Sequence, residues 1–289
     1  FFKQKTAYEI STRDWSSDVC SSDLVNPTAY FSPKTRLVAV TAESNVLGPL
    51  WDNKTNELKE FIAQAHKHDA IVLVDAAQAI AHIRIDVQNL DADALVFSGH
   101  KMFGPTGVGV LYVKEFLQNV MDPYQFGGSM IYEAKFTEAT WTTGALKFEA
   151  GTPPIAEAIG LGSAVKFMRD TLPFTELIEH EKKLCSLFIA GLRKIPGTRI
   201  VASPLALTHG THVVSFSIDG LHPHDIAFEL GRKNIALRAG HHCAQPLVTH
   251  LGYHALLRIG VAAYNTTEDI EQCLEALAHT VTVFRKALH

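Results

Sequence analysis

From Thr35 onward, hydrophobic and polar positions alternate between two periods. RLVAVTA reads as a strand, WDNKTNELKEFIAQAHKHD has apolar residues at helical spacing, and IVLVDAA, ALVFSGH and VGVLYV read as further strands. The runs IVLV and ALVF are apolar on both faces, as parallel strands covered by helices on each side should be. After the turn-forming GTPP at residues 151–154, IAEAIGLGSAVKFMRD and TELIEHEKKLCSLFIAGLRKI read as amphipathic helices. The rest predicts strand THVVSFSI, helix HDIAFELGR, strand NIALRAG, a strand at LLRIG, and a closing helix TEDIEQCLEALAHTVTVFRKAL. The class is α/β, with a large domain of mainly parallel sheet over residues 25–170 and an α+β small domain over 171–289.

Residues 1–24, FFKQKTAYEISTRDWSSDVCSSDL, carry no sustained period and lack the basic start and apolar run of a signal peptide. They read as translated adapter or vector sequence, so the homologous chain is expected to begin near Val25. With 289 residues, 47% of them hydrophobic, the chain can bury a sizeable core. A net charge of −4 and the absence of any Lys/Arg run argue against a nucleic-acid partner. No apolar stretch is long enough for a membrane span. The four cysteines, Cys20, Cys185, Cys243 and Cys273, are too sparse for a disulfide framework, which suggests a reducing, cytoplasmic compartment. Cys185 and Cys273 fall at helical spacing and read as core residues, whereas Cys243 sits among Gly, His and Pro in a loop.

Asp75 ends an apolar strand, Lys101 follows another within SGHK, and Cys243 lies in RAGHHCAQP. Together they point to pyridoxal phosphate chemistry on sulfur. The aspartate can hold a pyridine nitrogen protonated, the lysine can carry the cofactor as a Schiff base, and the thiol can accept sulfur. Gln78 is placed to contact the ring's phenolic oxygen, and Ser98, Gly99 and His100 suit a phosphate. Arg258, flanked by apolar residues, needs an anionic partner, for which a substrate carboxylate would serve; Arg238 is a second candidate. Each residue also has a plainer reading. Asp75 can cap a following helix, Lys101 can be a solvated surface charge, Cys243 can be a small buried hydrophobe, and Arg258 can sit in an internal ion pair. A His-His-Cys metal site is a further alternative for the loop.

The blocks VAVTAESNVLG, VDAAQAI, FSGHKMFGPTGVGVLY, FGGSMI, KFEAGTPP, LRAGHHCAQPL and LRIGVAAYNT resemble group II, Suf-type cysteine desulfurases and their selenocysteine lyase relatives. The resemblance runs from about Val25 to the C-terminus. It implies the aminotransferase class V branch of the fold-type I PLP enzymes, which are homodimers. By resemblance Lys101 is the Schiff-base lysine and Cα proton shuttle, Asp75 pairs with the pyridine nitrogen, Gln78 meets the ring oxygen, and Ser98 and His100 bind phosphate. Asn45 touches cofactor and substrate, Arg258 holds the substrate carboxylate, and Thr152 reaches the phosphate of the partner subunit's cofactor. Cys243 becomes the persulfide carrier. The implied activity converts L-cysteine to L-alanine and passes sulfur to an acceptor protein, as in iron-sulfur cluster assembly. L-selenocysteine is the alternative substrate, and a non-catalytic dimerising or binding fragment the alternative role. Relative to the family, the first third is expected to be absent, with its ring-stacking histidine and a phosphate-binding Thr loop, while Glu43 and Lys147 stand where other residues are usual.

Overall fold

The computed structural model describes residues 31–52 and 56–287; the expected foreign segment, residues 1–24, lies outside them. The described chain divides into two units, one of residues 31–42 and 56–174, the other of residues 43–52 and 175–287. In chain order the first strands are β1 (Leu37–Thr41), β2 (Glu43–Ser44), β3 (Gly48–Pro49), β4 (Ile71–Asp75), β5 (Ala94–Ser98) and β6 (Gly109–Val113). In the first unit β1, β4, β5 and β6 form one sheet in that order. The first three run parallel, with Thr41 opposite Asp75 and Asp75 opposite Val96, and β6 pairs antiparallel, placing Ser98 opposite Gly109.

Parallel neighbours need crossovers, and two short helices serve: α1 (Glu57–His66) before β4 and α2 (Val87–Leu90) before β5. Asp86 caps the second by accepting from the backbone N–H groups of Gln88 and Asn89. The helical period of α1 turns Ile62 and Ala65 inward onto Val72, Val74 and Leu95. Ile62, Val72 and Val74 are fully buried, each contributing roughly 1.5–3 kcal/mol. Farther along come α3 (Glu115–Val120), the hairpin β7 (Ile131–Ala134) and β8 (Ala139–Trp141), and α4 (Ile155–Asp170), whose Leu161 and Met168 pack with Ala81, Met102 and Phe97.

The second unit is built on an antiparallel sheet in the order β11 (Arg238–Gly240), β12 (Leu256–Gly260), β10 (Val213–Ile218), β9 (Thr198–Val201). The α-helices that follow in chain order are α5 (Phe174–Leu192), α6 (Pro204–His209), α7 (Pro223–Gly231), α8 (Gln245–His250) and α9 (Thr267–Ala287). Phe188, Phe216, Ile226, Leu230, Leu257 and Leu277 form its core, joined by Cys185 and Cys273. NIALRAG yields a strand only at Arg238–Gly240. Asn234 is left-handed at φ 61°, and Ile235 N–H returns to Leu230 O at 3.0 Å, so the start of that run terminates α7 instead of pairing. The β2–β3 turn is fastened to this unit: Ser215 Oγ donates to Val46 O at 2.8 Å, and Ser203 N–H donates to Leu47 O at 2.9 Å. Glu43 pairs with His212 Nδ1 at 3.0 Å, both buried, which gives that unusual carboxylate a structural use.

Among the described residues no helix is long and apolar enough to cross a membrane. Nor do three His, Cys, Asp or Glu side chains stand together as metal ligands among them, so the loop's two histidines and cysteine do not make a metal site on this geometry.

One buried carboxylate organises the start of β5. Asp93 accepts from Val72 N–H at 2.8 Å, from His66 Nε2 at 2.8 Å and from Lys114 Nζ at 2.9 Å. Burial alone would push its pKa up, but Lys114, the Val72 N–H and His66 outweigh that and hold it below the usual carboxylate range. Replacing it would leave the buried Val72 N–H unpaired and take from Lys114 one of its two carboxylates, Asp91 being the other. Asp93→Ala is expected to lower unfolding free energy by about 2–4 kcal/mol in chemical denaturation; a loss under about 0.5 kcal/mol, the level of an ordinary surface substitution, would contradict this account.

Candidate active site

The candidate residues fall into two groups, one in each unit. In the first unit the parallel register fixes the arrangement. Asp75 and Ser98 end adjacent parallel strands, the edge at which open α/β sheets take ligands. Asp75 Oδ1 accepts from Ala77 N–H at 2.8 Å, and Oδ2 has no hydrogen-bond partner among the described residues. The residues that follow form consecutive turns rather than an α-helix, with half-buried Gln78 among them.

Ser98 leads into a single 3-10 turn, Gly99–Lys101, and its hydroxyl makes no capping bond. Glycines make this turn possible. A Cβ on Gly104 would lie 2.8 Å from Gly99 O, and one on Gly99 would lie 3.0 Å from Val108 O. Met102 is buried beneath the turn, which leaves His100 and Lys101 exposed on its outer side. Lys101 makes no ion pair or hydrogen bond among the described residues. Thr152 is exposed in a loop held by Gly151 N–H donating to Gly128 O at 2.9 Å. Lys147 Nζ donates to Gln118 O at 3.1 Å and so has a local partner.

In the second unit, Asn45, Arg238, His242, Cys243 and Arg258 form one connected group. Cys243 is exposed, whereas Cys185 and Cys273 are buried. Burial pushes the Cys273 thiol up to about 11, and burial with nearby Glu181 and Glu43 pushes Cys185 up further. Both therefore stay protonated and inert, leaving Cys243 as the available nucleophile among the described cysteines. Arg238 Nη2 approaches its Sγ at 3.6 Å.

Arg238 and Arg258 lie directly opposite each other across β11 and β12. Like charges in that relation repel, and no carboxylate pairs with either guanidinium among the described residues. The internal ion pair open to Arg258 on sequence grounds is thus not what the fold provides. Its Nη1 donates to the backbone oxygen of Asn45 at 2.8 Å. Burial, then the facing Arg238, push its pKa down, while a thiolate at Cys243 opposes the shift. An arginine pair of this kind is suited to an added anion.

His242 and Cys243 are consecutive left-handed residues, at φ 54° and 61°. Outside glycine this conformation costs roughly 1–2 kcal/mol per residue. The turn is closed by Ala244 N–H donating to His241 O at 2.9 Å, and Asn45 Nδ2 donates to His242 O. The His242 ring is buried, with neither nitrogen completing a hydrogen bond among the described residues. Burial, Arg258 and Arg238 hold its pKa down at about 4, a backbone contact at Leu256 opposing them. The imidazole beside the thiol is therefore neutral, and the guanidinium that approaches the sulfur is that of Arg238. The antiparallel register brings this arginine to the sulfur, a signal visible only once β11 and β12 are paired.

A sequence model of the aminotransferase class-V family matches residues 12–273, and the chain belongs to that family. It is 43% identical over 253 residues to a probable cysteine desulfurase of Halalkalibacterium halodurans, covering 88% of this chain and 60% of that protein. Among solved structures it is similar to the Escherichia coli cysteine desulfurase CsdA, with TM-score 0.84 and 36% identity over 90% of this chain and 63% of that one. A C-DES mutant with glycine covalently linked to its PLP cofactor matches with TM-score 0.73 and 26% identity, over 90% of this chain and 63% of that one. The chain thus spans about 60% of the length of the curated relatives it matches.

The His242 environment predicts an acid-sensitive step. The unfolded chain takes up this proton near pH 6.5, whereas the folded protein resists it down to about pH 4. More protons on the unfolded state means that the stability is whole above pH 6.5 and falls as pH drops towards 4. His242→Asn, which tolerates the left-handed backbone, is expected to flatten that part of a denaturation-versus-pH curve relative to wild type. An unchanged slope would remove His242 from the account.

Proposed function

We propose that this chain carries the cofactor- and thiol-bearing machinery of a cysteine desulfurase, taking L-cysteine to L-alanine and holding the sulfur as a persulfide on Cys243. The observation that carries the reading is the exposed Cys243 beside two arginines that meet no carboxylate among the described residues, in a chain of the aminotransferase class-V family. The Halalkalibacterium halodurans and Escherichia coli relatives are named cysteine desulfurases, and no observation favours the selenocysteine alternative.

The residues of the first unit fit pyridoxal phosphate. Asp75 keeps one carboxylate oxygen unbonded among the described residues, open to a protonated pyridine nitrogen, Gln78 suits the ring oxygen, and Ser98, His100 and Thr152 offer donors for a phosphate. When bound, the cofactor supplies an electron-withdrawing ring that makes the amino acid's Cα proton removable. Lys101, exposed and without a partner among the described residues, would hold the cofactor and afterwards carry that proton. Arg258, assisted by Arg238 and the amide of Asn45, would bind the substrate carboxylate and fix the direction in which its sulfur points.

The thiolate of Cys243 then attacks the substrate sulfur. A sulfur–sulfur bond forms, the carbon–sulfur bond breaks, and its electron pair leaves with carbon, which takes up a proton to become the methyl group of alanine. Arg238, with Nη2 3.6 Å from Sγ, is the guanidinium that faces the reacting sulfur. A sulfur-acceptor protein would take the persulfide sulfur, and the group II, Suf-type assignment, homodimeric assembly and a cytoplasmic setting belong to the same proposal.

Two measurements test it. Purified chain with added pyridoxal phosphate should develop an absorption band at the edge of the visible that Lys101→Ala abolishes. With L-cysteine and a thiol reductant, wild type should release sulfide and alanine in equal amounts, and Cys243→Ser should lose roughly a hundredfold or more of that rate, as expected on removing a nucleophile. Undiminished sulfide release by Cys243→Ser would rule out its assigned role.

A further inference from the structure

Asn45 is bonded in two directions at once. Its backbone oxygen accepts from Arg258 Nη1 at 2.8 Å, and its side-chain amide donates to His242 O, the carbonyl immediately before Cys243. Its backbone is pinned: Val46 and Leu47 N–H donate to Ser44 Oγ at 3.2 and 3.1 Å, and Ser215 Oγ holds Val46 O at 2.8 Å. The side chain can turn while the main chain stays still.

We infer that the Asn45 amide is a clasp on the Cys243 turn, opened by an anion on Arg258. The inference rests on the desulfurase reading for the identity of that anion, the α-carboxylate of the substrate. With no anion bound, the amide serves a neutral carbonyl and holds His242 and Cys243 in their left-handed turn. A carboxylate on Arg258 offers the same amide a charged acceptor, and hydrogen bonds to charged acceptors are the stronger kind. The amide turns to the carboxylate, His242 O loses its donor, and a turn that is unfavourable in itself is freed to relax. The nucleophile is thereby held while the site is empty and mobile once a carboxylate is in place. Arg258 reads the substrate, and Asn45 is a positioning residue that passes the result to Cys243.

The test uses the full chain and the rate at which iodoacetamide alkylates the Cys243 peptide, followed by mass spectrometry at alkaline pH where thiol ionisation no longer limits the rate. Propionate is the probe carboxylate and propionamide its neutral counterpart. Asn45→Ala and Asn45→Asp, which both remove the donor, are expected to raise the rate by roughly five- to tenfold, the equilibrium weight of a single hydrogen bond. Propionate should accelerate wild type but neither variant, and propionamide should accelerate none. Labelling of buried Cys185 and Cys273 would expose a variant that had unfolded, and the other variant then decides. Equal Cys243 rates in wild type and a folded variant overturn the clasp, as does a wild type indifferent to propionate. No turnover is needed, so failure here leaves the desulfurase reading standing, and loss of sulfide release with the clasp intact would overturn only that reading.

Discussion

The parallel pairing of β1, β4 and β5 is the constraint on which the first unit depends. Its register sets Asp75 opposite both Thr41 and Val96, so that the ends of β4 and β5 fall at one edge. Asp93 fixes that register from the other end by accepting the Val72 N–H with the same carboxylate that receives His66 and Lys114. Shifting β5 by one residue would reverse the faces of Ala94 to Ser98 and displace the turn that carries Lys101. Sheet register and the placement of the amine are therefore one requirement.

The second unit meets a different constraint. An antiparallel pair sets Arg238 against Arg258, an arrangement that apolar packing alone would not select. The arginines are tolerated because one reaches a thiol and the other a backbone carbonyl, while strong hydrophobic layers around Phe188, Phe216 and Leu257 hold the sheet regardless. Stability comes from the core, so the arginine pair, which meets no carboxylate among the described residues, can vary separately from it.

Much of this was legible in the sequence. The long helices and the apolar strands announced themselves because their burial periods are regular, and Cys185 and Cys273 read as core residues for the same reason. Less legible were β9, α6, α8 and the β7–β8 hairpin, which are short and draw their stability from tertiary partners. Residues 43–52, contiguous in sequence with the first unit, belong to the second, because the bonds that fasten them come from Ser203, His212 and Ser215, about 160 or more positions away along the chain. The link from Asn45 to His242 was hidden likewise, spanning 197 positions. Local pattern reports what a residue resembles, and only the closed fold reports which distant residue it touches.

The turn at His242 and Cys243 has a consequence for how such a chain can change over time. Glycine at either position would satisfy a positive φ without strain, so selection for stability alone would draw the loop towards glycine. At position 243 that drift removes the sulfur, and at position 242 it removes the buried ring. The loop is thus a place where fold and chemistry pull in opposite directions, and a stabilised descendant that had lost its thiol would keep every strand and helix of its parent.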